Sequence, residues 1–235
     1  MKIQTVVVII AIAFLSLYAM QEVSYFSSKI QIEKNLSSPI VSIPDIGVNE
    51  KVNFESLNQG ILVDELSSEP GKGKIILHGH RTLLGSPFLR LNELQVGDVI
   101  TLQWPELGEV NYTVNDTYIV SPSHTIPMGN DSNTIYLITC DPIGSTANRL
   151  IIEGNISNIG PLKESTAHNN PQEYYGLIIA IAFLGIGLLF SYFYPIKEDK
   201  IIVLATVIVI SIILFGIYLF PVSPDNFEFL SYLGF

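Results

Sequence analysis

The stretch TIYLITCDPIGSTANRLIIEG, residues 134–154, decides how the rest of the chain reads. Two short apolar runs flank DPIGSTAN, a segment built from the Asp, Pro, Gly, Ser and Asn that favour turns. The pattern predicts strands over 134–140 and 149–156 with a loop between them. Cys140, the only cysteine of 235 residues, ends the first strand, and Arg149 opens the second, nine residues on. An antiparallel return would bring the Arg149 guanidinium back toward the thiol.

The same texture extends upstream. Short runs rich in β-branched residues, separated by Gly, Pro, Asn or Asp, predict strands at 40–47, 74–79, 98–104 and 109–121. In EVNYTVND polar and apolar residues alternate, as in a half-buried strand, and QWPELGEVNY reads as a hairpin around Pro105 and Gly108. The expected domain is mainly β, an antiparallel barrel or sandwich spanning 40–157.

Outside it the chain is unusually apolar, with 48% hydrophobic and only 14% charged residues overall. Three runs have about the 20 apolar residues that cross a hydrocarbon core of roughly 30 Å. They are residues 3–20, 174–194 and 201–220. Tyr174, Tyr175, Tyr192 and Tyr194 edge the second run, where interfacial aromatics belong. The first run is read as an uncleaved anchor rather than a signal peptide, because LYAMQEVS lacks a clean small-x-small cleavage site. Residues 21–39 read as a polar stalk, 158–173 as a linker, 195–200 as a short cytoplasmic loop and 221–235 as a tail. Lys2, Lys197 and Lys200 place the amino terminus and that loop inside, by the positive-inside rule. The expected location is a multi-pass cell-membrane protein in contact with lipid, its β-domain outside the cytoplasm.

Residues 21–173 hold 18 Asp and Glu against 9 Lys and Arg, which is −9 of the total −10. Such a segment lacks the basic face that nucleic acid demands, so no nucleic-acid partner is expected. One cysteine excludes an internal disulfide framework. Sequons at Asn35, Asn111, Asn115, Asn130 and Asn155 all fall in the segment expected outside.

Acyl chemistry at a thiol needs a proton carrier and a group that holds the developing oxyanion. His80, where a predicted strand gives way to a loop, fits the first role. His78 lies two residues back on the same face and fits a supporting or merely buried role. His124 and His168 sit in polar loops. Taken singly, each residue has a blander reading: a lone Cys is more often a small buried hydrophobe, and an Arg opening a strand is usually solvated. HxH with one distant Cys lacks zinc spacing, so no metal site is expected.

Taken together, two blocks resemble the sortase family. LITCDPIGSTANRL is similar to the sortase signature, in which a T-L-x-T-C strand carries the active cysteine and an arginine follows on the next strand. GHRTLLGSPFLRLNELQVGDVI resembles the family's other block, where G-H carries the catalytic histidine. The resemblance covers roughly residues 40–157 and implies an eight-stranded β-barrel besides the three transmembrane helices. It also implies a membrane-anchored cysteine transpeptidase. Cys140 would attack a sorting signal of the L-P-x-T-G type to give a thioacyl enzyme. His80 would move the proton, and Arg149 with the backbone N–H of Asp141 would hold the oxyanion. Thr139 would line the substrate groove.

The partners so implied are surface proteins bearing sorting signals, and an amine of the cell envelope or of a pilin subunit. No cofactor is called for, with calcium activation, seen in some members, left open. The C-x-P-x-G…R-L spacing is closest to class C and class D members. The D-P-W or D-P-F lid motif of the pilin-type group is absent before His80, and two carboxy-terminal spans are unusual, which points to an archaeal or otherwise divergent member. Two other readings use the same residues: a membrane thiol endopeptidase with water as acceptor, and a surface adhesion or scaffold domain with a decayed site.

Overall fold

A computed structural model describes residues 1–33, 39–82, 84–126, 133–161, 172 and 174–227. The chain divides into two units, residues 33–170 and a helical unit formed by residues 1–32 with 171–235.

The first unit holds eight strands: β1 (Ile40–Ile43), β2 (Val48–Asn53), β3 (Ile61–Val63), β4 (Ile75–His78), β5 (Val99–Trp104), β6 (Gly108–Val120), β7 (Thr134–Asp141) and β8 (Asn148–Gly160). They close into a barrel in the order β1-β2-β3-β4-β7-β8-β6-β5, with β1 pairing back to β5. Closure leaves no sheet edge. The barrel is mixed, which corrects the antiparallel expectation: β2 pairs with β3, and β4 with β7, in parallel.

The segment read as one strand over 40–47 is also divided. Pro44 cannot donate to a ladder, and Pro44–Ile46 forms a 3-10 turn closed by Gly47 at φ 70, so the chain reverses into β2. The hairpin around Pro105 and Gly108 joins β5 to β6 as expected, with Trp104 opposite Gly108.

Alternation along the strands fills the interior. On β7, Ile135, Leu137 and Thr139 are buried inward, while Tyr136, Ile138 and Cys140 occupy the outward positions. Val41, Ile61, Leu77, Leu102 and Ile152 meet them in the core, and Phe88 and Leu91, from the segment after β4, join the same cluster. A smaller apolar cluster lies on the outer face, where Ile76, Tyr136 and Ile151 pack with Ile138, Tyr118, Val120 and Ile126.

The helical unit contains α1 (Ile3–Glu33), α2 (Tyr175–Phe193) and α3 (Lys200–Leu219). Helix α1 continues past residue 20 into the segment read as a stalk. Three stretches, Ile3–Ser28, Tyr175–Phe193 and Lys200–Leu219, are long and apolar enough to cross a membrane. Ala19 and Val23 of α1, Ala180 of α2, and Ile210 and Leu214 of α3 form their shared core.

Polar contacts tie both ends of the bundle. At one end Asp199 accepts from the Lys2 N–H at 2.8 Å and the Thr5 hydroxyl at 2.7 Å, and Tyr194 donates to Thr5 at 2.9 Å. These bonds satisfy donors of the first turn of α1, where a carboxylate complements the helix dipole. They also hold the Asp199 carboxyl below its ordinary range, the Lys2 N–H contributing most. At the other end Ser24 donates to the Val222 carbonyl, and the Phe26 and Tyr175 rings meet edge to face at 5.3 Å. His168, Asn35, Asn130 and most of the expected linker and the end of the tail lie outside the described residues.

Candidate active site

The β7–β8 ladder sets Cys140 directly opposite Arg149. On the other side of β7, the parallel pairing with β4 sets His78 level with Ile138. The Gly79 N–H extends that ladder by donating to the Ile138 carbonyl at 3.1 Å. β4 ends at His78, and His80 follows in the loop, one residue past Gly79. Cys140 and Arg149 face each other across β7 and β8 where β7 gives way to a loop, and Gly79, bonded to β7, ties the start of the His80 loop to the same strand.

Thr139 holds this corner together. Its side chain is buried and its hydroxyl donates to the Gly79 carbonyl at 2.8 Å, linking the residue before Cys140 to the residue before His80. This differs from the expectation that Thr139 lines a groove. A strand residue adjacent to the outward-facing Cys140 must point inward, so Thr139 supports the site from the barrel interior.

His80 is half-buried, and its Nε2 lies 3.2 Å from Oδ1 of Asn58. Burial, which disfavours the charged imidazolium, lowers its pKa from the ordinary histidine value. Asn58 reaches it from the short loop that joins β2 to β3. There Asn53 accepts from the N–H groups of Glu55 and Ser56, Ser56 accepts from the Asn58 N–H, and Gly60 adopts φ 121.

His78 has a different partner. Its Nε2 is 2.8 Å from Oδ2 of Asp64, with both side chains about a third exposed. Burial pushes the Asp64 carboxyl up, yet the Leu66 N–H and the His78 ring together hold it below its ordinary value. His124 packs its ring edge-on to Tyr118.

Arg149 is partly exposed, and its Nη1 donates to the carbonyls of Thr146 at 3.1 Å and Asn148 at 3.0 Å. The guanidinium thus rests on the loop that connects β7 to β8. Asp141 continues β7 opposite Asn148, and its carboxylate meets Arg81, a residue the sequence reading passed over. Arg81 and Asp141 each follow a candidate catalytic residue and carry opposite charge, and that adjacency was the available signal. Asn58 and Asn92, the latter an acceptor for Arg81, have no such mark in the sequence. Among the described residues no group of three or more His, Cys, Asp or Glu side chains could hold a metal ion.

A half-buried thiol opposite a guanidinium, with an imidazole of depressed basicity on the neighbouring loop, has the parts for acyl transfer. The family model of the sortase domain matches residues 32–157, more than half of the chain. The chain belongs to the sortase family. Sortases are cysteine transpeptidases of the cell envelope, and this sortase has a single cysteine.

Among solved structures it is similar to sortase C1 from Streptococcus agalactiae, at 28% identity over 53% of this chain and 70% of that one, with a TM-score of 0.48. It is also similar to a Clostridium perfringens sortase C solved with its C-terminal cell wall sorting motif, at 25% identity over 51% and 70%, TM-score 0.47. Listeria monocytogenes sortase A matches at 24% identity over 56% and 94%, TM-score 0.47. No curated protein matches the chain.

Proposed function

We propose that this sortase cleaves an extended sorting signal of the L-P-x-T-G type through Cys140 and transfers the acyl group to an amine of the cell envelope or of a pilin-like subunit. The pairing of Cys140 with Arg149 across β7 and β8, with His80 one residue past the Gly79 that bonds to β7, supports this reading by offering a nucleophile, a fixed cation and a proton carrier.

In this reading Cys140 gives its thiol proton to the neutral His80 ring, and the thiolate so formed attacks the scissile carbonyl carbon. The carbonyl oxygen gains the negative charge, and the Arg149 guanidinium stabilises it, the Asp141 N–H joining only by leaving the Asn148 carbonyl it meets in the β7–β8 ladder. Arg149 must leave the Thr146 and Asn148 carbonyls to do so, a swing open to a partly exposed side chain at the start of β8. The tetrahedral adduct collapses, the C–N bond breaks, and His80 protonates the departing amine. The incoming amine then attacks the thioester, gives its proton to His80, and releases the thiolate. Ile138 and Val120, beside Cys140 and Arg149 on the outer face, offer apolar contact to the signal.

The same reading places the protein in the membrane through its three apolar helices, with the barrel on the outer side. The Asp199 contacts support that orientation, because they gather Lys2, Lys197 and Lys200 at one end of the bundle. Sorting-signal-bearing surface proteins are the expected acyl donors, and no cofactor enters the steps.

The test is a peptide library incubated with the full-length protein in detergent, with and without candidate amines, and read by mass spectrometry. Peptide–amine conjugates that vanish with Cys140→Ala are expected. Cleavage with water alone, unchanged by any amine, would replace the transpeptidase with a thiol endopeptidase. No turnover of any peptide would point to a decayed scaffold domain.

A further inference from the structure

Arg81, one residue past His80, is only 5% exposed and points its guanidinium at the backbone of the nucleophile. Nη1 donates to the Cys140 carbonyl at 3.1 Å and to Oδ1 of Asp141 at 2.5 Å, and Nη2 donates to Oδ1 of Asn92 at 2.8 Å. A buried guanidinium in a planar fork can bridge such acceptors in one geometry, which a lysine cannot reproduce.

The contact to Cys140 fills a gap in the sheet. In the parallel β4–β7 ladder the Gly79 N–H donates to the Ile138 carbonyl. The next acceptor along β7 is the Cys140 carbonyl, and its regular donor would be the N–H of residue 81. By that point the chain has turned out of the ladder, and the side chain of the same residue supplies the donor instead.

The Cys140 carbonyl and the Asp141 N–H belong to one rigid peptide plane and point in opposite directions. Drawing the carbonyl toward Arg81 therefore turns the N–H toward β8, where Asp141 pairs with Asn148, the residue before Arg149, and so holds Cys140 in register opposite Arg149. The Asp141 carboxylate, held by the same nitrogen, ties down the far side of that peptide unit.

We infer that Arg81 is a positioning residue that locks the 140–141 peptide plane and so keeps Cys140 in line with Arg149, the donor to the developing oxyanion. This rests on the reading of Cys140 as an acyl-accepting nucleophile. Arg81 acts through the backbone and does not itself meet the substrate.

Two small electrophiles separate this role from general support of the site. With p-nitrophenyl acetate, the Cys140 sulfur adds to the ester carbonyl, p-nitrophenolate leaves, and S-acetyl-Cys140 forms through a tetrahedral oxyanion. With iodoacetamide, the sulfur displaces iodide at carbon and no oxyanion arises. Because Cys140 is the only cysteine, every thiol adduct reports on that position. The full-length protein in detergent is compared with Arg81→Lys and Arg81→Met, folding being checked by circular dichroism. Arg81→Lys keeps the charge and serves if the methionine variant does not fold.

The expected result is a fall of about tenfold or more in acetylation, with alkylation within about twofold of wild type. Equal losses in both reactions, or no loss in either, would overturn the role of Arg81 while leaving Cys140 as nucleophile. A wild-type protein that is alkylated but never acetylated would overturn both the nucleophile reading and the inference resting on it.

Discussion

Cys140 and Arg149 face one another across the β7–β8 ladder, although nine positions separate them in the chain. Their pairing belongs to a register eight residue pairs long, from Thr134 opposite Asn155 to Asp141 opposite Asn148. A slip of one residue would turn Cys140 into the barrel and Thr139 out. Ile135 and Leu137, packed inside, oppose any such slip, since each contributes about 1.5–3 kcal/mol by being buried. The barrel core thus fixes where the thiol points.

Arg149→Lys is expected to lower acylation by a sorting peptide about a hundredfold, because a point charge does not replace a planar donor pair at an oxyanion. Cys140→Ala is expected to abolish it with the far-ultraviolet circular dichroism unchanged. Single-turnover mass spectrometry of the thioacyl adduct measures both. A lysine variant with wild-type rates would remove Arg149 from the oxyanion site.

The acid limb of kcat/KM for the free enzyme should fall below about pH 6.5, the ordinary histidine value, because burial disfavours the protonated His80 ring. Stability should move in the same direction. Between the folded value and about 6.5 the unfolded chain binds a proton that the folded chain does not. His80 therefore favours the folded state fully above that range, and this contribution is lost as pH falls through the folded value. His80→Ala should cost most of the activity, whereas His78→Ala, whose ring faces Asp64, should keep both rate and limb. A pH–rate profile of the three proteins decides it, and a reversed ranking of the histidines would exchange their roles.

The long strands and the Cys–Arg adjacency were legible in the sequence because two short apolar runs flank a turn-rich loop. β2 and β3 were not. The strand VNEKVN follows the PDIG turn without an apolar run, and ILV is too short to show a period. The two parallel pairings could not be read either, since a parallel register depends on how the intervening chain crosses rather than on any local turn. The partners of His80 and Arg81 come from the distant loop residues Asn58 and Asn92, and a polar side chain's partner is a tertiary property.

Gly79→Ala should harm both stability and catalysis. A Cβ at this position would lie 2.5–2.9 Å from three atoms of the Phe88 ring, which is fully buried. Phe88 also donates its N–H to the His80 carbonyl at 3.0 Å, so displacing the ring disturbs the segment that carries His80. Overpacking of this kind costs about 1–3 kcal/mol. Thermal denaturation should show the loss, and the Gly79→Ala/Phe88→Leu double variant should recover part of it. A double variant no better than the single would place the cause elsewhere.

Asp199 makes a prediction about sidedness. It receives Lys2 and Thr5 from the start of α1, while Tyr194, at the end of α2, bonds to Thr5. The amino terminus and the loop between α2 and α3 must therefore share one membrane face. With Cys140→Ala as a thiol-free background, single cysteines at Lys2, Lys197 and Asn115 can be probed with a membrane-impermeant maleimide. In sealed spheroplasts Asn115→Cys should be labelled, and Lys2→Cys and Lys197→Cys should react only after permeabilisation. Labelling of Lys2→Cys and Lys197→Cys from opposite faces would contradict the Asp199 junction, and a reversal of all three would keep the bundle but invert the protein in the membrane.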